Sequence, residues 1–211
     1  MDRYQFYDAV GKGRHSTVYK GRQKDTVEYL AIKRVDKAQK DRVYNEVYIM
    51  HKMAGHPHLL RFHSWYETQH NIWLILEFCT GGNLKVLLEQ DERLPEHAVK
   101  VFGVDLMEGL LHLHCRGYLY CDLKPSNVLV DENGVLKLSD FGLARRIPSD
   151  NGAGSPGGGG NEPGRPRLRG SPCYMAPELF LEARGVHSYK SELWSLGCVL
   201  YELLTLRRAF E

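Results

Sequence analysis

The chain has 211 residues, a formal net charge of +2 and 43% hydrophobic residues. This composition is typical of a soluble globular domain, whereas so small a net charge decides nothing about nucleic-acid or membrane partners. The five cysteines are scattered, odd in number and without a C-x-x-C pair, which argues against a disulfide framework and favours a reducing compartment. No signal peptide is evident at the start, and no apolar run is long enough to span a bilayer.

The first part of the chain is predicted to form strands. "STVYKG" and "EYLAIKRV" are rich in β-branched and aromatic residues. Before them, "GKGRHSTV" holds Gly11, Lys12 and Gly13. A strand rather than a helix follows these glycines, and Gly13 follows Lys12, so neither a dinucleotide fold nor a Walker A loop fits. The pattern predicts a glycine-rich turn between strands, whose backbone N–H groups could cover phosphates, or else an ordinary hairpin.

A helix and two more strands are predicted next. "DRVYNEVYIMHKM" has helical periodicity, with Asp41 as the expected N-cap. Glu46 shares an apolar face with Ile49, Met50 and Met53. A carboxylate on such a stripe is either at its edge or directed at a specific cation. "LLRFHSWYE" and "NIWLILEF" then have the composition of strands.

The second part of the chain is predicted to be mainly helical. After the turn in "CTGGNL", where we place a lobe boundary, "LKVLLEQ" and the segment Glu96–His114 have helical periodicity. "SNVLV" and "VLKLSDF" flank "DENG", which predicts a hairpin. Residues 148–170 are rich in glycine and proline and are predicted to be a disordered loop. "SELWSLGCVLYELL" is predicted to be a buried helix.

Several short motifs have the chemistry of phosphate transfer. Asp122, Lys124 and Asn127 stand at positions 0, +2 and +5 of one loop, and "DFG" begins at Asp140. Asn127 and Asp140 offer oxygen ligands of the kind that Mg²⁺ prefers. In "AIK", Lys33 lies beside a small apolar residue, which suits a flat base next to a phosphate chain. Each motif is common by itself, but the ordered set, which ends with "APE", leaves little room for chance.

This ordered set resembles the eukaryotic protein kinases over essentially the whole chain. "STVYKGR", "WYET", "YCDLKPSN" and "GCVLYE" are most similar to the Fused/Unc-like branch and, within it, to the plant RUNKEL-type serine/threonine kinases. The resemblance implies an α+β, bilobal kinase domain over residues 4–211. Residues 4–80 would form a small β-rich N-lobe, and residues 81–211 a mainly helical C-lobe that is incomplete at its C-terminus. The implied reaction transfers the ATP γ-phosphoryl group, with Mg²⁺, to Ser/Thr hydroxyls of protein substrates.

The resemblance also implies roles for individual residues. Lys33, paired with Glu46, would hold the α- and β-phosphates. Asp122 would orient the substrate hydroxyl and accept its proton, and Lys124 would steady the γ-phosphoryl group. The metal ligands would be Asn127 and Asp140. The nucleotide would be bound by Gly11, Lys12, Gly13, Val18, Ala31, Lys33, Glu77, Cys79, Asn83 and Leu129, with Leu76 as gatekeeper. A regulatory spine would consist of Met50, Phe62, Tyr120 and Phe141.

The chain departs from the family pattern at four places. Ser16 replaces the third glycine of the turn, which is a small change. Cys121 replaces an Arg that in the family binds an activation-loop phosphate, so phosphorylation there is not expected to be the main switch. Glu192 replaces an Asp that in the family bonds the backbone of the catalytic loop, and its extra methylene leaves the geometry of that loop an open question. The chain ends at Glu211, before the Arg that pairs with Glu178 of "APE", so we expect a fragment that is poorly stable by itself.

Two other classes of function were considered. A pseudokinase scaffold would fit the changes at Cys121 and Glu192, but such proteins usually lose one of the reactive residues, which are all present here. A small-molecule kinase is disfavoured by "GSPCYMAPE", which in the family docks a protein substrate. Lys124 together with Ser171 favours serine/threonine specificity. Family resemblance alone suggests cytoskeletal partners. We also expect a cytoplasmic location and no nucleic-acid or membrane partner, and the sequence leaves the oligomeric state undetermined.

Overall fold

The first part of the chain is an antiparallel sheet with one helix packed against it. The computed structural model describes residues 3–90, 94–147, 170–181 and 186–210. Its strands are β1 (Tyr4–Lys12), β2 (Ser16–Gln23), β3 (Tyr29–Asp36), β4 (Phe62–Glu67) and β5 (Asn71–Glu77), in the order β1-β2-β3-β5-β4. Helix α1 (Lys40–Lys52) connects β3 to β4. These elements confirm the strands and the helix that were predicted for this part.

Helix α1 has the predicted buried face but not the predicted start. Its buried residues are Val43, Glu46, Ile49 and Met50. The prediction of Asp41 as N-cap was wrong, because a 3-10 turn (Lys37–Gln39) leads directly into the helix. Asp36 caps that turn by accepting a hydrogen bond from the N–H of Ala38 at 2.8 Å. Asp41 lies in the first helical turn, where its charge still favours the helix dipole.

The second part contains helices and two small sheets, as expected for an α+β protein. The helices are α2 (Leu84–Gln90), α3 (Glu96–His114), α4 (Glu178–Leu181) and α5 (Tyr189–Thr205). Strands β7 (Val128–Val130) and β8 (Leu136–Leu138) form the predicted hairpin, and β6 (Tyr118–Leu119) pairs with β9 (Arg145–Arg146). The predicted disordered loop at 148–170 lies outside the described residues, except for Gly170. Among the described helices, none is long and apolar enough to cross a membrane.

One hydrophobic core runs through both parts of the molecule. Side chains from five elements meet in it, namely Ile49 of α1, Leu74 of β5, Leu106 of α3, Leu138 of β8 and Val199 of α5. Each is at most 4% exposed. Burying a side chain of this size contributes about 1.5–3 kcal/mol, so the core fixes α1 against the loops that carry the polar motifs.

Helix α5 was predicted to be buried, but only one of its faces is. Leu196, Val199 and Leu203 lie in the core, whereas Leu193 and Leu204 are 58% and 49% exposed. Helix α3 also has an exposed apolar stripe, which consists of Val101, Val104, Met107 and Leu111. A helix with apolar residues on several sides is buried only where neighbouring elements cover each side. Within the described ranges, the stripe on α3 and the second face of α5 are exposed to solvent.

The loop after α1 is joined to β8 by backbone hydrogen bonds. Leu59 and Leu138 form a parallel bridge. The Leu60 N–H donates to the Leu138 carbonyl at 2.9 Å, and the Leu138 N–H donates to the His58 carbonyl at 2.9 Å. Leu138 lies two residues before Asp140, so this bridge connects the end of α1 to the strand that precedes "DFG".

Candidate active site

Lys33 and Glu46 form an ion pair between β3 and α1. Lys33 Nζ lies 2.6 Å from Glu46 Oε1 and 2.9 Å from Oε2. The side chains are only 14% and 3% exposed. Burial by itself would lower the pKa of Lys33, but the carboxylates of Glu46 and Asp140 outweigh it and raise that pKa above its ordinary value. The carboxylate on the apolar stripe of α1 therefore contacts a specific cation.

The loop between β6 and β7 brings Asp122, Lys124 and Asn127 together. Asp122 Oδ2 accepts hydrogen bonds from Lys124 Nζ and Asn127 Nδ2, each at 2.9 Å. Asn127 Nδ2 also donates to the Asp122 carbonyl at 3.0 Å. The 3-10 turn Pro125–Asn127 folds the chain back, so the 0, +2, +5 spacing becomes one cluster. The carboxylate is buried and held in a single orientation.

A serine hydroxyl lies against this cluster. Ser171 Oγ donates to Asp122 Oδ1 at 2.9 Å and accepts from Lys124 Nζ at 2.6 Å. Ser171 directly follows Gly170, 49 residues beyond Asp122 in the chain. The carboxylate and the ammonium therefore bind an aliphatic hydroxyl between them, with the hydroxyl proton directed at Asp122.

Asp140 carries its carboxylate on a left-handed backbone, with φ of 53°. Its Oδ2 atom accepts from Arg42 Nη2 at 3.0 Å. Its Oδ1 atom is buried, lies 3.7 Å from Lys33 Nζ and has no hydrogen-bond partner among the described residues. Burial opposes ionisation, but the charges of Lys33 and Arg42 prevail and hold the pKa of Asp140 below its ordinary value.

The donors at Asn127 and Asp140 fit a divalent cation. A buried carboxylate oxygen without a hydrogen bond is costly unless a cation approaches it. Asn127 uses its amide nitrogen for Asp122, which turns its amide oxygen to the opposite side. Mg²⁺ takes a few protein oxygens of this kind together with phosphate oxygens and water. Asp140 Oδ1 and the Asn127 amide oxygen are the atoms that would hold it.

Comparison with known proteins identifies this arrangement. Residues 4–211 match the protein kinase domain family. The chain belongs to the protein kinase family. It is 51% identical over 210 residues to the serine/threonine-protein kinase RUNKEL of Arabidopsis thaliana, covering 100% of this chain and 14% of that protein. To the serine/threonine-protein kinase ULK4 of Mus musculus it is 39% identical over 223 residues, covering 100% of this chain and 17% of that protein.

A third relative extends the comparison within the same group. The chain is 36% identical over 213 residues to the human serine/threonine-protein kinase ULK3, covering 97% of this chain and 42% of that protein. The kinase domain described here therefore spans less than half the length of each of these three relatives. The resemblance to the Fused/Unc-like branch and the bilobal α+β fold are confirmed.

The residues expected to enclose the adenine lie on strands of both parts of the chain. Ala31 pairs with Leu76 across β3 and β5, and Leu129 bridges to Asn83 after the turn. Val18 and Leu129 are half-buried, so each keeps part of its surface available to a ligand. No observation tests their contact with a base, so their nucleotide role stays a prediction.

The connecting strand has a function beyond the expected one. The Glu77 N–H donates to the Arg61 carbonyl at 3.0 Å, so only its carbonyl is left for a base. Its carboxylate contacts Lys137 Nζ and the Arg61 N–H, each at 3.0 Å, which anchors the end of β5. Burial, followed by the charge of Glu77, raises the pKa of Cys79 to about 12, so this thiol is neutral.

The glycine-rich turn is closed by its own hydrogen bond. The Gly13 N–H donates to the Ser16 carbonyl at 2.8 Å, while Gly11 and Lys12 pair with β2. In this conformation the Gly13 N–H already has an acceptor, so binding a phosphate there requires the turn to open. Asn83, expected near a ribose, caps α2 by accepting from the Val86 N–H at 3.1 Å.

The four expected spine residues lie in the shared core. Tyr120 and Phe141 are fully buried, with ring centroids 5.5 Å apart in an edge-to-face arrangement. Met50 is also buried, and Phe62 packs against the same cluster. The Tyr120 hydroxyl donates to the Ser139 carbonyl, which leads to Asp140. A tyrosine at this position can make this hydrogen bond because its ring carries a hydroxyl group.

Glu192 supports the catalytic loop in spite of its extra methylene. The buried N–H of Cys121 donates to Glu192 Oε1 at 2.6 Å, and His114 Nε2 lies 2.5 Å from Oε2. The question that the longer side chain raised for the loop is answered here, because Glu192 reaches both the loop and α3. Burial, followed by the charge of Glu192, raises the pKa of Cys121 to about 12, so its thiol is neutral.

Two residues of α1 were not singled out from the sequence. Arg42 contacts Asp140, and Asn45 Nδ2 donates to the Ala144 carbonyl at 2.8 Å. Arg42 lies four residues before Glu46, so helical spacing already placed both on neighbouring positions of one face. Glu178, for which a missing partner was expected, begins α4 and is half-buried, and no ion pair to it occurs within the described ranges.

Proposed function

We propose that this chain is the catalytic domain of an ATP- and Mg²⁺-dependent protein serine/threonine kinase. The observation that carries the proposal is the Ser171 hydroxyl, bound between Asp122 and Lys124. This contact supports the proposal because the serine hydroxyl donates to the Asp122 carboxylate and accepts from Lys124, as a substrate hydroxyl would. The names of the three relatives support the same specificity.

In the proposed reaction, a substrate Ser or Thr hydroxyl takes the place beside Asp122 that Ser171 occupies here. Asp122 accepts the proton as the hydroxyl oxygen bonds to the γ-phosphorus, and the bond from that phosphorus to the β,γ-bridging oxygen breaks. ADP leaves, and the substrate carries a phosphate ester. Lys124 and Lys33 neutralise the phosphate charges by position. A bound Mg²⁺ would neutralise phosphate charge at Asp140 and Asn127.

The substrate class and location are proposed more broadly. A protein substrate is supported by membership of the protein kinase family. The five cysteines are all free thiols in the structure, which supports a reducing compartment such as the cytoplasm. Cytoskeletal partners rest on family resemblance, without an observation in the structure that favours them.

Phosphate transfer from radiolabelled ATP to a generic protein substrate tests this function. With Mg²⁺ present, the full chain should label the substrate, and Asp122→Asn should lower the rate by about 10²–10⁴-fold because a general base is lost. Lys33→Met should lower it as well, because the phosphates lose a charge partner. Exposed Asp41→Asn on α1 is the matched control and should retain the rate.

The alternative is a pseudokinase scaffold. Equal labelling by the native chain and Asp122→Asn would contradict catalysis at this site. If equilibrium dialysis shows that the chain binds nucleotide but the substrate is not labelled, the result would favour the scaffold.

A further inference from the structure

The contact between Arg42 and Asp140 has no place in the roles described so far. We propose that Arg42 is a built-in cation at the metal-binding carboxylate, which occupies one oxygen of Asp140 and restricts the site to a single divalent ion. This inference rests on the proposed kinase function, because it concerns the metal site of that reaction. Arg42 would then be a residue that sets metal stoichiometry.

The two oxygens of Asp140 face different groups. Arg42 Nη2 binds Oδ2 at 3.0 Å, and Oδ1 is buried without a hydrogen bond. In protein kinases two Mg²⁺ ions are held by this aspartate and the loop asparagine. A carboxylate with one oxygen on a guanidinium retains one oxygen without a partner, and its other oxygen could reach a metal only beside the guanidinium charge. The free oxygen lies on the Lys33 side, at 3.7 Å from Nζ.

The guanidinium is held in place by shape as well as by charge. A Cβ added at Gly142 would lie 2.4 Å from Arg42 Nε and 2.6 Å from its Cγ. Arg42 thus packs directly on the glycine of "DFG", where any larger residue would displace it. Asn45, on the next turn of α1, binds the Ala144 carbonyl and fastens the helix to the same segment. The contact is therefore built from two elements that fit each other.

Charge favours one metal ion over two in this arrangement. Because the Arg42 guanidinium is a cation, a second dication at Oδ2 would meet a positive charge at contact distance. A dication held by Oδ1 would use the oxygen that Arg42 does not contact. At Oδ2, the Arg42 guanidinium thus supplies part of the positive charge that a second metal ion would bring.

Counting bound Mn²⁺ by electron paramagnetic resonance tests the proposal. The full chain is titrated with Mn²⁺ in the presence of a non-hydrolysable ATP analogue. We expect about one Mn²⁺ per bound nucleotide in the native chain and in Arg42→Lys, and about two in Arg42→Ala. Lys40→Ala, an exposed cation on the same helix, is the matched control and should leave the count at about one.

A second variant separates the charge of Arg42 from the position of α1. Asn45→Ala loosens the attachment of the helix to the "DFG" segment but keeps the guanidinium, so the count should stay at about one. Two Mn²⁺ in the native chain, one in Arg42→Ala, or two in Asn45→Ala would each overturn the proposal. If the native chain transfers phosphate but binds two Mn²⁺, only this inference fails. If it binds no nucleotide, the kinase function fails too.

Discussion

Glu192 connects two elements through one buried carboxylate. Its Oε1 atom accepts the N–H of Cys121, whose φ of 67° places that N–H away from regular secondary structure. Its Oε2 atom faces His114 on α3. Glu192 is only 2% exposed, so water cannot replace either contact. The residue before Asp122 therefore depends on Glu192 for its conformation.

Replacing Glu192 with alanine should destabilise the fold and the catalytic loop together. The change leaves a buried N–H without an acceptor and removes the partner of His114. We expect a loss of about 2–4 kcal/mol in the free energy of unfolding, measured by urea denaturation. Phosphate transfer should fall as well, because Asp122 follows the unsupported residue.

The matched control for this change is Glu89→Ala. Glu89 is a surface residue of α2 that pairs with Lys85 at i, i+4. Its replacement should alter the free energy of unfolding by at most about 0.5 kcal/mol. Equal effects of the two changes would contradict a specific role for Glu192.

At the scale of elements, a group of histidines joins α3 to the loop after α1. The rings of His56 and His112 lie 4.1 Å apart between centroids. Arg116 Nη1 lies 3.1 Å from His112 Nδ1, which must accept because a guanidinium only donates. Burial, followed by the charges of His56 and Arg116, lowers the pKa of His112 to about 4. His112 is therefore neutral in the folded protein at neutral pH.

Acid should weaken this contact. The unfolded chain binds a proton at His112 near pH 6.5, whereas the folded chain resists it down to about pH 4. The free energy of unfolding should therefore fall as the pH falls through that window. Because the side chain is partly solvent-exposed, we expect about 1 kcal/mol from this residue, measured by urea denaturation at pH 7 and pH 5.

Two variants isolate the contribution of His112. His112→Gln should reduce the difference between the two pH values. His97→Gln, an exposed histidine near the start of α3, should leave that difference unchanged. A difference that persists in full in His112→Gln would assign the pH dependence to other groups.

Periodicity predicts the elements better than the contacts between them. The bounds Glu96–His114 were predicted for α3 and observed, because its apolar residues recur at helical spacing over five turns. The start of α1 was mispredicted because the cap depends on a 3-10 turn that has no strong sequence signal. The contact of Arg42 with Asp140 could not be predicted, because it requires the left-handed backbone of Asp140 to turn its carboxylate towards α1.

At the scale of the whole molecule, the exposed faces of α3 and α5 determine how the isolated chain should behave. Leu111 and Leu204, which are 59% and 49% exposed, belong to these faces. We expect the 211-residue chain to bind a hydrophobic dye and to melt at low temperature. Leu111→Lys with Leu204→Lys should lower dye fluorescence and change the free energy of unfolding by at most about 0.5 kcal/mol per site.

Leu110, the neighbour of Leu111, provides the contrast on the same helix. It is 2% exposed and lies in the shared core, so Leu110→Ala should cost about 2–5 kcal/mol. A cooperative melt at high temperature with little dye binding would contradict the expectation for the native chain. Which face of a largely apolar helix is covered depends on its neighbours. The sequence of α5 shows no such neighbours, so it predicted a buried helix although only one face is buried.

The bridge between Leu59 and Leu138 attaches the segment that follows α1 to β8, in the mainly helical part of the molecule. Its backbone hydrogen bonds, which use the His58 and Leu138 carbonyls as acceptors, fix the chain shortly after the end of α1. These hydrogen bonds hold the segment after α1 at a set distance from β8. Arg42 and Glu46 lie on α1 and Asp140 follows β8, so the same attachment keeps the segments that carry these charges side by side before any nucleotide arrives.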